Sequence, residues 1–409
     1  MIVRIQPGRA RGTVAAPPSK SMAHRLLLCA GLAEGESRIR NVAPSEDVLA
    51  TLDCLRALGA EVRLEGDAVA VRGTAPGRFP AGARLACRES GSTLRFFVPV
   101  CLLGREEIRL EGSARLMARP LEAYREICAA RGLEFALSGR ELRVRGPLEA
   151  GKFGLPGDVS SQYASGLLFA APLLAGDSRI RFRGEPESRP YVEMTCAALA
   201  ASGVETRWAD GRTLEVPGGQ AFRARNAEVE GDWSGAAFFL ALNALGGEVA
   251  VSGLAPDSLQ GDRVCGRLLA ELAAGRPEIA LEDCPDLAPV LFAVAAARNG
   301  ARFTGTRRLR FKESDRVAAM AAELRACGAS VEAGENEVEV GGGGLHAPER
   351  LLRSHGDHRV AMALAVLLTA LGGGIEGAEA VAKSMPDFFG KLAALGIGAE
   401  ITENGRKTP

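Results

Sequence analysis

The sequence predicts an α/β protein of two lobes, each built from three copies of one helix–strand–helix–hairpin unit. Three observations carry this. A very apolar helix that opens on small polar residues starts six times, at Ser21, Ser92, Ser161, Ser234, Asp286 and Asp357, at intervals of 71, 69, 73, 52 and 71 residues, the regularity of a repeat architecture. Between these helices lies a second, amphipathic helix that ends at Gly and runs into a strand. The terminal copies are as apolar as the middle ones, whereas the ends of an open solenoid need polar caps. A closed, lobed arrangement is therefore favoured over a continuous solenoid, and the 52-residue step marks the fourth unit as abbreviated.

Taken in order, the amphipathic helices are LDCLRALGAEVRL from Leu52, YREICAARGLEFAL from Tyr124, MTCAALAASGVETRW from Met194, CGRLLAELAAGRPEIAL from Cys265, AAMAAELRACGASVEA from Ala318 and FFGKLAALGIGAEIT from Phe388. In each, apolar residues recur at helical spacing, the Gly supplies a left-handed C-cap, and a period-two segment begins a hairpin. The other six helices are apolar on nearly all sides, which places them in a core.

With 409 residues, 50 Lys and Arg against 50 Asp and Glu, 47% hydrophobic residues and 5% aromatics, the chain has the composition of a soluble globular protein of two or three domains at roughly 150 residues each. Charge balance argues against a nucleic-acid or membrane-surface binder, which carries a net basic stripe. Any anion is bound at local sites. Only six of the basic residues are Lys (20, 152, 312, 383, 391 and 407). A Lys kept against this Arg background suggests a need for ammonium hydration, geometry or proton transfer. Nine scattered cysteines without a CxxC pair read as reduced, mostly buried thiols rather than a disulfide or zinc framework.

The opening MIVRIQPGRARGT alternates like a strand and lacks a signal peptide's apolar core. The most apolar stretches, 167–174 and 361–371, are far shorter than the ~18 residues of a membrane span, so a cytoplasmic protein is expected. His24, His355 and His358 form no HxH or HExxH spacing, so no metal is expected. No phosphate-cradle glycine motif follows a strand, and the GGGG at Gly341 reads as a loop, so no nucleotide cofactor is expected.

The unusual residues gather at the first turns of the helices. PPSKSMAHR brings Lys20, Ser21 and Arg25 to one helix start, FKESDR brings Lys312, Glu313 and Arg316 to another, and HGDHRV brings Arg359 to a third. A cation there opposes the helix dipole by about 0.3–1 kcal/mol when exposed. An anion held jointly by the free N–H groups and the cation removes the conflict. In GDVSSQ, Ser160 or Ser161 fits an N-cap, and with Gln162 the set also fits a polyhydroxyl ligand. RESGSTLRFF is either a plain turn at Gly91 or a set of amides suited to a phosphate or carboxylate. Asp286 in DCPDLAPV is an N-cap or a functional carboxylate. Arg119 in ARLMARP and Lys383 in VAKSMPDF each read equally as surface charges. Together these predict a cleft rich in cations, Ser and Gln, with one or two carboxylates and no cofactor.

Here the chain resembles the enolpyruvyl transferases and, within them, the 5-enolpyruvylshikimate-3-phosphate synthase family. PPSKSMAHR, GDVSSQ, ESRPY, EGDWS, FKESDR, DHR and AKSMPDF occur in the family's order, and the match runs from about residue 5 to 400. The resemblance implies a two-lobed inside-out α/β barrel of six βαβαββ repeats, three per lobe. One lobe would be discontinuous, residues 1–18 with 230–409, and the other would span 19–229, with the active site in the cleft between them and lobe closure on the substrates. It implies transfer of the enolpyruvyl group of phosphoenolpyruvate to the 5-hydroxyl of shikimate 3-phosphate, releasing phosphate, in the shikimate pathway to chorismate and aromatic amino acids.

Carried over by position, shikimate 3-phosphate would meet Lys20, Ser21, Arg25, Ser160, Ser161, Gln162, Ser188, Asp286 and Lys312. Phosphoenolpyruvate would meet Lys20, Gly91, Arg119, Gln162, Arg316, Arg359 and Lys383. Asp286 would take the hydroxyl proton, with Glu313 and Lys20 as donors or relays at C3 of phosphoenolpyruvate. No cofactor, metal, nucleic acid or membrane is implied, and a monomer is the default because one chain can form the whole site.

Two positions depart from the family. Glu89 stands where many members have Asn, so only Gly91 of that loop is carried over, and Arg308 stands where some have Asn. The sister enzymes acting on UDP-N-acetylglucosamine carry a loop Cys before an Arg-Pro pair and Lys-Asn where this chain has Lys20-Ser21; Ser113 lies in that loop here, and no Cys does. A non-catalytic anion-binding repeat protein would need the cations but not Asp286 and Glu313.

Overall fold

The computed structural model describes residues 1–403 together with 406 and 407; the rest of the tail of the expected 230–409 segment lies outside the described residues. The chain divides into two compact units. One is continuous, Pro18–Glu230, and the other joins Met1–Pro17 to the chain from Gly231 onward.

In the continuous unit one strand order recurs three times. Arg84–Arg88 runs parallel to Ile108–Gly112, which pairs antiparallel with Glu141–Arg145, itself antiparallel with Glu134–Ser138. Lys152–Pro156, Ser178–Arg183, Thr213–Val216 and Arg207–Asp210 repeat it. So do Ala227–Glu228, Glu36–Arg40, Ala68–Arg72 and Glu61–Glu65. Alternation sets which face is buried: Ser178, Ile180 and Phe182 point into the core while Arg179, Arg181 and Arg183 face solvent.

The discontinuous unit repeats the order with Glu278–Ala280, Ala301–Thr304, Glu337–Val340 and Val331–Ala333. It does so again with Leu352–Arg353, Gly373–Glu376, Ile2–Ile5 and Ala399–Glu403, where the N-terminal strand fills the third place. The remaining set is the parallel pair Arg11–Ala15 and Glu248–Ser252.

That pair corrects one sequence expectation. The segment after the Cys265 helix was expected to begin a hairpin, but Glu278–Ala280 instead pairs parallel with Ala301–Thr304. The short interval leaves no chain for a hairpin. The cap differs too: Gly59, Gly132, Gly203, Gly328 and Gly396 have φ between 63° and 98°, whereas Gly275 has φ −174°, extended backbone that does not reverse the chain as a left-handed cap does.

The apolar helices form the cores. In the continuous unit these are Lys20–Leu32, Gly91–Cys101 and Gln162–Ala170, linked by ring contacts of 6.5 Å between His24 and Phe96 and 5.4 Å between Phe96 and Phe169. In the other unit they are Trp233–Ala244, Ala288–Ala297 and His358–Leu371, which pack on one another. Every residue from 358 to 369 is buried, so this helix, as its all-round apolarity required, is held by tertiary packing rather than by one stripe. Among the described residues, no helix is long and apolar enough to cross a membrane, and no group of three or more His, Cys, Asp or Glu is placed to hold a metal. All nine cysteines are free and eight are buried. Burial lifts the Cys29 and Cys265 thiols to about 12, so they are protonated and inert as nucleophiles near neutrality.

Candidate functional site

The sequence-predicted residues fall into two clusters, one in each unit. In the continuous unit, Ser19 caps the helix Lys20–Leu32 through its hydroxyl, which accepts the Met22 amide at 3.3 Å. The stiff Pro17-Pro18 approach then leaves Lys20 at the first helical position, and its Nζ donates to Asp47 Oδ2 at 2.7 Å. Arg25, one turn on, is 3% exposed. Its Nε donates to Thr195 Oγ1 at 2.8 Å, Nη1 to the Ser21 carbonyl at 2.6 Å, and Nη2 to the Tyr191 carbonyl at 2.8 Å. Arg25 thus ties the first helix to the helix Arg189–Ala201, which Ser188 opens from a left-handed conformation.

A second part of this cluster joins Gly91, Arg119 and Gln162. Gly91 opens its helix directly under the Arg119 guanidinium: a Cβ at residue 91 would lie 2.5 Å from Arg119 Nη1. Gln162 donates through Nε2 to Ser92 Oγ at 3.0 Å and accepts from Arg95 Nη1 at 2.8 Å. Arg95 Nη2 also donates to the Pro120 carbonyl at 3.0 Å. The sequence reading passed over Arg95, although a lone Arg inside the apolar run LRFFVPV was a signal. Its buried fork fixes Gln162 and the backbone beside Arg119 at once. Ser161 occupies the N-cap position without a side-chain cap bond, and Ser160 Oγ accepts the Gln162 amide at 3.3 Å.

In the discontinuous unit, Asp286 is not the cap of its helix: it sits in the turn Pro285–Leu287 before the start at Ala288. Its Oδ1 accepts from Arg316 Nη1 at 2.8 Å and faces Lys312 Nζ at 3.5 Å, and its Oδ2 accepts from Arg359 Nη2 at 3.0 Å. Arg316, 1% exposed, also donates to Asp357 Oδ2 at 2.9 Å and Glu313 Oε2 at 2.8 Å. Arg359 Nη1 donates to Ser234 Oγ at 2.6 Å, and Lys383 Nζ to the Gly356 carbonyl at 2.7 Å.

Here the structure adds carboxylates beyond the one or two expected among the cations. Lys312, Arg316 and Arg359 are met by Asp286, Glu313 and Asp357, so three cations face three carboxylates, and at the other helix start Lys20 faces Asp47. The dipole conflict is answered by side chains of the same unit. Asp357 could have been found as a cap: Asp-His-Arg at a helix start placed its carboxylate on the Arg359 amide at 2.9 Å. Its second bond, to Arg316, had no sequence signal.

The electrostatics follow. Burial raises the Asp286 pKa, but Arg359, Lys312 and Arg316 together outweigh it and hold the carboxyl well below the usual carboxylate range. Burial lowers Lys312 to about 8, against the pull of Asp286. Of the departures, Arg308 is buried and donates to the Glu282 carbonyl. Glu89 lines a surface hollow of about 450 Å³ with Arg88 and Arg140. Ser113 caps the short helix Ala114–Met117, its hydroxyl accepting the Leu116 amide at 3.1 Å.

Repeated mixed sheets whose helix starts carry cations paired with carboxylates define a class: an α/β protein with helix starts suited to small anionic ligands. The match to known proteins narrows it. The chain belongs to the EPSP synthase (3-phosphoshikimate 1-carboxyvinyltransferase) family, whose model matches residues 5–392. It is 38% identical over 419 residues to the 3-phosphoshikimate 1-carboxyvinyltransferase of Clostridium botulinum (strain Alaska E43 / Type E3), covering 96% of this chain and 97% of that one. It is 37% identical to that of Clostridium kluyveri, covering 98% of each. Its mixed α/β fold matches a solved EPSP synthase from Acinetobacter baumannii with a TM-score of 0.78 at 24% identity, covering 98% of this chain and 100% of that one.

Proposed function

We propose that the chain transfers the enolpyruvyl group of phosphoenolpyruvate to the 5-hydroxyl of shikimate 3-phosphate, with Asp286 as the base. The observation that carries this reading is the placement of Asp286 against Arg316, Arg359 and Lys312, a carboxylate that shares its cations with any anion bound beside it. Shikimate 3-phosphate is assigned to Lys20, Ser21, Arg25, Ser160, Ser161, Gln162 and Ser188 of the continuous unit and to Asp286 and Lys312 of the other. Phosphoenolpyruvate is assigned to Lys20, Gly91, Arg119 and Gln162 of the first and to Arg316, Arg359 and Lys383 of the second. For Arg25 the role is narrow, because four of its five N–H groups are directed to Thr195, Ser21, Ser165 and Tyr191.

The 5-hydroxyl gives its proton to Asp286 as its oxygen attacks C2 of phosphoenolpyruvate. C3 gains a proton from the Lys20 ammonium, directly or relayed through the Glu313 carboxylate, leaving a tetrahedral ketal phosphate. Loss of a proton from C3 and cleavage of the C2–O bond then release phosphate and the enol ether. The cations stabilise the charge that collects on the departing phosphate. The proposal extends to the architecture: six βαβαββ repeats, three in each unit, in the family's inside-out barrel. The recurring strand order supports it, as does the shortened fourth set. It also takes the protein to be a cytoplasmic monomer.

Incubation with shikimate 3-phosphate and phosphoenolpyruvate should release phosphate in proportion to turnover. Release only with UDP-N-acetylglucosamine would favour the sister activity, and release with neither acceptor would favour an anion-binding protein. The loop before Pro120, with Ser113 and no Cys, supports release with shikimate 3-phosphate.

A further inference from the structure

We infer that Glu323 is a positioning residue that sets the backbone at the start of the His358–Leu371 helix, and through it Lys383 and Arg359. Glu323 lies inside the helix Arg316–Ala326 and is 1% exposed, a position a carboxylate occupies only when fully paired. All its recorded partners come from one segment, 350–355. Oε2 accepts from Arg350 Nη1 at 2.7 Å and from the Arg353 amide at 3.2 Å, and Oε1 contacts His355 Nε2 at 2.9 Å.

His355 has φ 53°, a left-handed backbone that a side chain such as His adopts only where its surroundings impose it. The Glu323 contact supplies that constraint. The residues just beyond bear on the proposed phosphoenolpyruvate contacts: the Gly356 carbonyl accepts Lys383 Nζ at 2.7 Å, and Asp357 accepts Arg316 Nε at 2.9 Å and the Arg359 amide. One buried carboxylate therefore fixes a strained turn whose next two residues hold the Lys383 ammonium and the Arg316 guanidinium and cap the helix that carries Arg359.

This inference rests on the phosphoenolpyruvate assignment made above. The test compares Glu323→Ala, Glu323→Gln and the double variant Arg350→Ala/His355→Ala, whose two side chains are 47% and 31% exposed and leave the helix core untouched. A misplaced loading group raises KM by about tenfold or more. Glu323→Ala is expected to raise the phosphoenolpyruvate KM by that amount, while the dissociation constant for shikimate 3-phosphate, titrated alone, stays within about twofold. Glu323→Gln, which still accepts the Arg353 amide, should recover most of the loss. Amide hydrogen exchange over 353–357 should quicken in Glu323→Ala while the core helices stay protected, a readout independent of turnover.

Equal rises for both substrates, or an unchanged phosphoenolpyruvate KM, would overturn the inference. If Glu323→Ala does not fold, the double variant decides by the same criteria. A wild-type protein that releases no phosphate defeats the functional reading instead, and the exchange rates still decide whether Glu323 holds the turn.

Discussion

Arg316 Nη1 and Asp286 Oδ1 lie 2.8 Å apart, and this contact, with those of Arg359 and Lys312, sets the resting character of the proposed base. Burial alone would make Asp286 more basic, but Arg359, Lys312 and Arg316 reverse that and hold it well below the usual range. A carboxylate in that state is a weak proton acceptor. A phosphate and a carboxylate drawing on the same three cations would lessen their hold, leaving burial to raise the pKa. Binding of the anions then strengthens the base at the moment it is needed.

Asp286→Asn tests this directly. The amide keeps the shape and cannot accept the proton, so turnover measured by phosphate release should fall by about 10²- to 10⁴-fold. Turnover near the wild-type value would show that the hydroxyl proton leaves by another route.

Lys312 gives a pH signature with a definite sign. Its pKa is lowered to about 8, first by burial, so the ammonium is charged below that pH and neutral above it. Affinity for shikimate 3-phosphate, as a tribasic anion needing the charge, should decline as pH rises through about 8. Lys312→Arg keeps the charge and should move that decline to higher pH. A decline that stays in place in the variant would assign it to another group.

Gly91→Ala separates binding from stability. The added Cβ meets the far end of a flexible side chain, Arg119 Nη1 at 2.5 Å, so the guanidinium can swing aside at little cost to the fold. The variant should melt within a few degrees of wild type. Its phosphoenolpyruvate KM should rise about tenfold or more, with the shikimate 3-phosphate KM less affected. Equal effects on both would detach Arg119 from phosphoenolpyruvate.

How far the sequence reached follows from what a linear pattern encodes. Apolar periodicity and glycine caps located the helices, because burial and left-handed caps leave marks at fixed spacing. The Glu278–Ala280 strand escaped because its neighbour is chosen by chain length, and the parallel partner Ala301–Thr304 lies beyond an entire helix. At the site, the cations were legible as cations at helix starts. Their carboxylate partners were harder: Asp47 and Lys20 are 27 residues apart, and Asp357 and Arg316 are 41 apart, separations that no local motif marks. Arg95 and Glu323 act by way of other residues, so only packing reveals them.

Lys20→Arg preserves the charge yet should lower kcat/KM about 100-fold. Nζ reaches Asp47 at 2.7 Å from a side chain only 15% exposed, which leaves little room for a planar guanidinium, and arginine does not transfer a proton near neutrality. Activity unchanged from wild type would mean that only the charge at residue 20 matters.

Arg316→Met should be the most destabilising of these changes. The guanidinium is 1% exposed and holds Asp357, itself 0% exposed, so its loss strands a buried charge at a cost of about 3–5 kcal/mol. Burial tends to raise the Asp357 pKa, and Arg316 reverses this and lowers it. That stability is present above the unfolded-state carboxyl pKa of roughly 3.9 and is lost as pH falls through the lower folded value. In Arg316→Met the sign inverts: burial prevails, the folded pKa rises, and the variant should gain stability relative to wild type as the pH is lowered toward 5. Adding Asp357→Asn removes the stranded charge and should restore part of the loss at neutral pH, a coupling between contacting residues that single changes do not reveal. Chemical denaturation of the four proteins at pH 5 and 7 checks both claims. Additive losses for the two changes would show that Asp357 does not depend on Arg316 for its charge.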